Sequence, residues 1–222
     1  MLRSAGALRG LFYQSVVVAE ADADRAFYSE INERLGSYKP ASSNPNCLFL
    51  NANGKDTISD IVAPMRALGV PTAAIVDLDV VEHGGTEWAK FMIACHVPQL
   101  ERSALENTRH HVRAALNKAD KDYKRKGGID LLQKDDKEAA QNFLNRLAEY
   151  GLFVVARGEV ENWLAHLPLN RSKHTWLHEV FEKIGDAPDD KSYVKPTDDD
   201  VWKFLSDINH WLGDGSRKGI PS

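Results

Sequence analysis

An uncharged run of small and β-branched residues from Thr72 to Val76, followed at once by Asp77 and Asp79, is the feature that most constrains this chain. Such a run is typical of a strand buried on both faces inside a parallel sheet. Ligands of open α/β sheets bind just beyond the carboxyl ends of these strands. In extended backbone Asp77 and Asp79 point to the same side, where two carboxylates repel each other unless a cation or a proton lies between them. The pair therefore predicts a divalent metal site.

Two further strand and helix pairs precede this one. Ser15 to Ala19 reads as a buried strand that ends at Glu20, and an amphipathic helix follows it. Cys47 to Leu50 reads as a second strand, and a helix follows it after the turn at Gly54. The resulting order β-α-β-α-β predicts a parallel α/β sheet.

The regular alternation stops after Asp79. Helical patterns fill the chain from His83 to Tyr150, which is far longer than an ordinary crossover connection. Leu152 to Ala156 then reads as a fourth strand, and two amphipathic helices near Lys173 to Ile184 and Asp198 to Leu212 close the chain. We expect a Rossmann-like parallel β-sheet of about four strands, divided into a first part (11–82), a helical insertion (83–150) and a second part with C-terminal helices (151–222).

Acids follow three of the four predicted strands. Because the carboxyl ends of parallel strands meet at one edge of a sheet, six carboxylates are expected there: Glu20, Asp24, Asp77, Asp79, Glu159 and Glu161. Asp24 and Glu159 also suit the first turn of a helix, where a carboxylate only complements the helix dipole. Oxygen ligands without cysteine or clustered histidine favour Mg²⁺ or Mn²⁺, and this many carboxylates suits two ions and phosphodiester chemistry.

A basic run lies inside the helical segment and is interpreted as a candidate DNA contact. Five basic residues and Tyr123 fall within nine positions, which suits a phosphate backbone. Most charge runs are simply solvated, and Asp120 and Asp122 dilute this one. Lys55, in the turn before the second helix, is a further candidate for substrate contact. The predicted DNA-binding residues are thus Lys55, Lys118, Lys121, Lys124, Arg125 and Lys126.

Composition excludes several other classes of protein. The chain has 222 residues with 27% charged and 43% hydrophobic residues, and no apolar run approaches the roughly 20 residues that span a bilayer. The first residues lack the pattern of a secretory signal. Two cysteines, Cys47 and Cys95, suit reduced thiols in a cytoplasmic protein. His174 and His178 have i, i+4 spacing, but no third ligand follows that would predict a zinc site.

Four short motifs, taken in order, resemble the TOPRIM domains of the OLD (overcoming lysogenization defect) family of nucleases. The segment Val16-Val-Val-Ala-Glu20-Ala-Asp-Ala-Asp24 is similar to the first TOPRIM motif, and Ile75-Val-Asp77-Leu-Asp79 to the Asp-x-Asp motif. The Gly54-Lys55-Asp56 turn and the segment Arg157-Gly158-Glu159-Val-Glu161-Asn are similar to the OLD family more narrowly. The resemblance extends from about residue 11 to residue 212 and includes the helical insertion.

The resemblance implies a metal-dependent DNA endonuclease whose metal ligands carry over to the six carboxylates. Ala21 departs from the family pattern, which commonly has glycine there. The resemblance also implies a lysine near the end of the domain that stabilises transition-state charge, here Lys191 or Lys195. It further implies an ABC-type ATPase domain in the same or a partner chain, and a homodimer. This chain itself contains no Walker motif.

Two rival interpretations stay open at the level of sequence. One is a haloacid-dehalogenase-like phosphatase that uses Asp77 as its nucleophile, although this leaves Glu20 and Glu159 unexplained. The other is a non-catalytic TOPRIM module that binds DNA or a partner ATPase.

Overall fold

A single all-parallel sheet forms the centre of the protein. The structure is a computed structural model that describes residues 6–172 and 175–220. The strands are β1 (Ser15–Ala19), β2 (Cys47–Asn51), β3 (Thr72–Asp77) and β4 (Leu152–Val155), and they lie in the order β2-β1-β3-β4. In this register Val18 pairs with Ala74, and Asp77 pairs with Val155. The predicted Rossmann-like α/β sheet of four strands is confirmed.

Helices cover both faces of the sheet. Their bounds are α1 (Asp22–Tyr38), α2 (Lys55–Ala67), α3 (Gly85–Ala94), α4 (Gln99–Ala119), α5 (Tyr123–Lys126), α6 (Lys134–Ala148), α7 (Trp176–Ile184) and α8 (Asp200–Gly213). The predicted start of a helix at Lys173, and His174 with it, lie outside the described residues. None of the helices in the described ranges is long and apolar enough to cross a membrane.

Alternate residues of each strand feed two separate cores. In β1, Val16 and Val18 pack with apolar residues of α2, α3, α4 and α6, whereas Val17 and Ala19 pack with those of α1, α7 and α8. This alternation follows from the two-residue repeat of a strand. The helical segment between β3 and β4 therefore shares its hydrophobic core with one face of the sheet.

The strand order creates a crevice at the carboxyl ends of β1 and β3. From β1 the chain crosses to β2 on one side, and then crosses back to β3 on the other side of β1. Such a reversal of strand order is the usual ligand position in open α/β sheets. Glu20 follows β1, and Asp77 is the last residue of β3. The crevice thus lies between two of the predicted acidic pairs.

The backbone after two of the strands differs from the sequence-based prediction. β3 ends at Asp77, and a 3₁₀ helix (Leu78–Glu82) follows, so Asp79 is not on extended backbone. The reason is the burial of three apolar side chains. Leu78, Val80 and Val81 are all fully buried, whereas a strand would point the neighbours Val80 and Val81 to opposite faces. After β4, Glu159 precedes a short 3₁₀ helix (Val160–Asn162) instead of the expected α-helix.

Candidate metal centre

The carboxylates that follow β1 and β3 converge with those of the loop after β4. Glu20 interacts electrostatically with Asp77 and Asp79. Asp24, in the first turn of α1, interacts with Asp77, Glu20 and Glu161. Glu159 is buried in the loop after β4, where the Gly158 carbonyl accepts a hydrogen bond of 2.8 Å from the Leu78 backbone N–H. The structure therefore brings Glu20, Asp24, Asp77, Asp79 and Glu161 together at one edge of the sheet, and Glu159 is buried in the loop beside them.

Burial and mutual repulsion raise the pKa of three of these acids. Burial, followed by the charge of Asp77, raises the pKa of Asp24 from 3.8 to about 7. Burial is also the main cause that raises the pKa of Glu20 and of Asp77. A group of buried acids whose charged forms are disfavoured is one that a divalent cation stabilises.

Asp79 differs because two lysines neutralise it. Lys55, the first residue of α2, forms an ion pair with Asp79 Oδ1. The Nζ atom of Lys124 lies 2.9 Å from Asp79 Oδ2 and 2.9 Å from Asp77 Oδ2. Burial alone would raise the pKa of Asp79, but the hydrogen bonds from Lys55 and Lys124 lower it below its ordinary value. The two carboxylates in turn raise the pKa of Lys124.

The donor set fits a hard divalent cation. The Oε2 atom of Glu20 is buried, and no described residue donates a hydrogen bond to it. A buried carboxylate oxygen without a donor is costly, and a cation is the partner that would satisfy it. The surrounding side chains offer carboxylate oxygens, which are the ligands that Mg²⁺ and Mn²⁺ prefer.

Lys124 reaches these acids because its backbone is docked against the loop after β4. The Asn162 side-chain amide donates hydrogen bonds of 2.8 Å to the carbonyls of both Lys124 and Arg157. Gly158 has a φ of +108°, and a Cβ atom at this position would lie 1.9 Å from the Lys124 carbonyl oxygen. Only glycine permits this approach. Gly158 and Asn162 both belong to the motif after the fourth strand, but the sequence alone assigns neither of them a role.

A groove of mixed charge opens beside Asp79. It has a volume of about 510 Å³, and its lining includes three basic residues (Lys121, Lys124 and Arg125) and three acids (Asp79, Glu82 and Asp122). Lys118 is exposed in the last turn of α4, and Lys126 forms an ion pair of 2.7 Å with Asp120. The predicted DNA-contacting residues are thereby divided: Lys55 and Lys124 contact the acids, and others line the approach to them.

Lys191 and Lys195 do not lie with the carboxylates. Lys195 Nζ is 5.5 Å from the ring centroid of Tyr38, the last residue of α1. Because α1 begins next to the acids and has 17 residues, its far end is about 25 Å away. Lys191 is exposed in the same loop. The geometry gives no support to the catalytic role predicted for these two lysines.

A second group of metal-ligating side chains was not predicted from the sequence. Ligand atoms of Asp56, His83 and Glu87 all lie within 4.8 Å of one another. The group is partly exposed, and His83 Nδ1 already lies 2.9 Å from Glu87 Oε2. His83 and Glu87 are four residues apart, but Asp56 comes from α2 and has no sequence spacing that joins it to them.

The fold and the acidic edge define a Rossmann-like α/β protein with a centre of the kind that binds divalent metal. Residues 11–79 match the family described as Overcoming lysogenization defect protein-like, TOPRIM domain. The match contains Glu20, Asp24, Asp77 and Asp79, and it confirms the resemblance inferred from the motifs over this part of the chain. A TOPRIM domain is a metal-binding fold of the nuclease and primase type. Comparisons with curated proteins and with solved structures gave no match.

Proposed function

We propose that this protein is a metal-dependent endonuclease that cleaves phosphodiester bonds in DNA. The observation that carries the proposal is the convergence of Glu20, Asp24 and Asp77 at the strand-order reversal, with Glu20 Oε2 buried and lacking a hydrogen-bond donor among the described residues. A buried carboxylate oxygen without a donor is costly, and a bound cation would remove that cost. The match to the OLD-like TOPRIM family supports DNA as the substrate.

Six carboxylates would hold two Mg²⁺ or Mn²⁺ ions: Glu20, Asp24, Asp77, Asp79, Glu159 and Glu161. When bound, the ions supply positive charge that stabilises the developing charge on the phosphoryl group and favours loss of a proton from the attacking water. Glu20 and Asp77 lie at strand ends and Asp24 lies in the first turn of α1, so all three side chains are carried on or directly beside rigid elements. This arrangement suits a site that must fix a substrate within a fraction of an ångström.

The chain's own cations complete the site. Lys55 is held at the first residue of α2 by its ion pair with Asp79, with only 12% of its side chain exposed. A lysine fixed beside the acids is suited to contact a phosphoryl oxygen and to stabilise its charge. Lys121 and Arg125 line the adjoining groove and are suited to hold the phosphate backbone.

The proposal extends to partners through the family match alone. An ABC-type ATPase domain, in the same or a partner chain, and a homodimer are the expected assembly.

The proposal is tested by incubating supercoiled plasmid with the protein and Mg²⁺, Mn²⁺ or a chelator. Glu20→Gln and Asp77→Asn proteins, purified in parallel, serve as matched variants that remove one charge each. We expect nicked or linear DNA with the wild type and a divalent ion, and intact plasmid in chelator and with both variants. Plasmid that stays intact with every ion would contradict the proposal, and cleavage that persists in the variants would place the activity elsewhere.

The same preparations separate a nuclease from a phosphatase. A haloacid-dehalogenase-like enzyme would hydrolyse a phosphomonoester and would form an aspartyl-phosphate on Asp77, but it has no use for Glu20. We expect no hydrolysis of p-nitrophenyl phosphate under conditions that cleave plasmid. Phosphomonoester hydrolysis that depends on Asp77 and not on Glu20 would favour the phosphatase.

A further inference from the structure

The ammonium of Lys124 bridges two of the proposed metal ligands. Its Nζ atom lies 2.9 Å from Oδ2 of both Asp77 and Asp79. These side chains are mostly buried, with 16% and 30% exposed. A divalent cation binds carboxylate oxygens at about 2.0 to 2.6 Å, closer than an ammonium does. The same two oxygen atoms cannot contact both the ammonium and a divalent ion closely, so the lysine and the metal compete for them.

Contacts at the Lys124 backbone fix its position, and its side chain borders an adjoining groove. Asn162 and the close approach of Gly158 hold the Lys124 carbonyl. Tyr123, the preceding residue, is buried and donates a hydrogen bond of 3.2 Å to Glu82. The flexible four-carbon stem of lysine permits the ammonium to turn from the acids into the adjoining groove without moving this backbone. That groove is lined by Lys121, Lys124 and Arg125, and also by Asp79, Glu82 and Asp122.

We propose that Lys124 is the resident counter-cation of this centre: it neutralises Asp77 and Asp79 before a divalent ion binds, and the ion displaces it toward a phosphate of the DNA. The helical segment between β3 and β4 thus supplies a residue to the site at the sheet edge. Displacement of the lysine by the ion forms and breaks only ionic contacts. Its DNA part rests on the proposed function, whereas its metal part concerns the carboxylates alone.

The metal part is tested by calorimetric titration of Mn²⁺ into DNA-free protein at pH 8. Lys124→Met removes the competing charge and keeps the length of the side chain. We expect it to bind Mn²⁺ about tenfold or more tightly than the wild type, because a like charge next to the ion is gone. Lys183→Met, at an exposed position on α7, loses the same net charge and should bind Mn²⁺ as the wild type does. Equal or weaker binding by Lys124→Met, or no binding by any variant, would overturn the proposal.

A second variant keeps the test decisive if Lys124→Met fails to fold. Arginine keeps the positive charge and offers more donors than lysine, including a bidentate pair to a single carboxylate, so Lys124→Arg should bind Mn²⁺ several-fold more weakly than the wild type. Unchanged or tighter binding by Lys124→Arg would contradict the proposal. Circular dichroism of each variant establishes that it is folded before titration.

The DNA part is tested by fluorescence anisotropy with a labelled duplex, in Ca²⁺ and in chelator. We expect Lys124→Met to weaken DNA binding several-fold in Ca²⁺, and to leave it unchanged in chelator, where the acids hold the lysine. The same loss in both conditions would indicate a merely structural role and would overturn this part. If the wild type proves inactive on plasmid while the Mn²⁺ result stands, the proposed nuclease function fails and the counter-cation role does not.

Discussion

The side-chain amide of Asn162 donates a hydrogen bond of 2.8 Å to the backbone carbonyl of Lys124, which lies 38 residues earlier in the chain. This bond joins the loop after β4, with its two buried glutamates, to the short helix α5. The same amide donates to the Arg157 carbonyl and so closes the loop on itself. One side chain therefore fixes both a pair of proposed metal ligands and the lysine that competes for the others.

The close packing of this loop predicts a large cost for Gly158→Ala. The alanine Cβ would meet the Lys124 carbonyl oxygen at 1.9 Å, at a φ of +108° that alanine disfavours. We expect the free energy of unfolding to fall by about 2 to 4 kcal/mol, measured by urea titration in chelator. Gly213→Ala is the control, since nothing lies within 4 Å of its Cβ position, and it should change stability by less than about 1 kcal/mol. Equal effects of the two substitutions would contradict this description.

The raised pKa of Asp24 predicts that metal-free protein loses stability as pH rises. The folded pKa of about 7 lies above the ordinary value of 3.8, so between these values the folded state keeps a proton that the unfolded state has lost. The unfolding free energy therefore falls from about pH 4 to pH 7. Asp24→Asn removes this contribution and should be more stable than the wild type at pH 8 by on the order of 2 kcal/mol.

The measurement is urea unfolding in chelator at pH 5, 6, 7 and 8. The unfolding free energy of Asp24→Asn should still fall with pH, but less steeply, because the pKa values of Glu20 and Asp77 are also raised. Asp186→Asn, in an exposed loop, should keep the slope of the wild type. An Asp24→Asn protein whose stability falls with pH as steeply as the wild type would show that Asp24 is charged throughout.

Asp77→Asn should separate stability from metal binding. Burial disfavours the charged form of Asp77, so the metal-free variant should melt at or above the temperature of the wild type at pH 8. At a Mn²⁺ concentration of about 100 times the dissociation constant, the wild type should gain about 2.7 kcal/mol, and the variant should gain little. Scanning calorimetry with and without Mn²⁺ measures both effects. Asp136→Asn, exposed on α6, should gain as the wild type does, and an equal gain by Asp77→Asn would exclude Asp77 as a ligand.

The distance of each lysine from the acids predicts which lysine contributes to DNA cleavage. Lys55→Met should lower the single-turnover rate of plasmid cleavage by about 100-fold, since it removes a fixed charge beside the acids. Lys195→Met should retain the rate within about threefold, because Lys195 packs on Tyr38 at the far end of α1. The reverse ranking would restore the role that the resemblance implied for the C-terminal loop.

The fold and the acids were predictable because the information for them is local. β1 has the bounds read from the sequence, Ser15 to Ala19, and an uncharged run that ends at an acid marks the carboxyl end of a buried strand. Parallel strands then bring such ends together whatever the intervening sequence contains. The family resemblance further predicted that this sheet belongs to a TOPRIM domain.

The cations of the site were not predictable in this way. The contact of Lys124 with Asp77 depends on how the chain turns back after α4, and the charge pattern around Lys124 is also that of a solvated run. Sequence alone does not place the loop with Lys195, because a position near the end of a domain does not state which end of a helix that loop packs against. Arg34, buried near the end of α1, fixes that loop by donating to the Ile184 and Val194 carbonyls.

The central claim is that the acids at the reversal of strand order bind the ion that drives DNA cleavage. Its most direct test is the initial rate of plasmid nicking against free Mn²⁺, with Mn²⁺ occupancy measured on the same sample by electron paramagnetic resonance. We expect the nicking rate to follow Mn²⁺ occupancy, and Asp77→Asn to lose both together. Nicking in chelator, or an unchanged rate in Asp77→Asn, would contradict this claim.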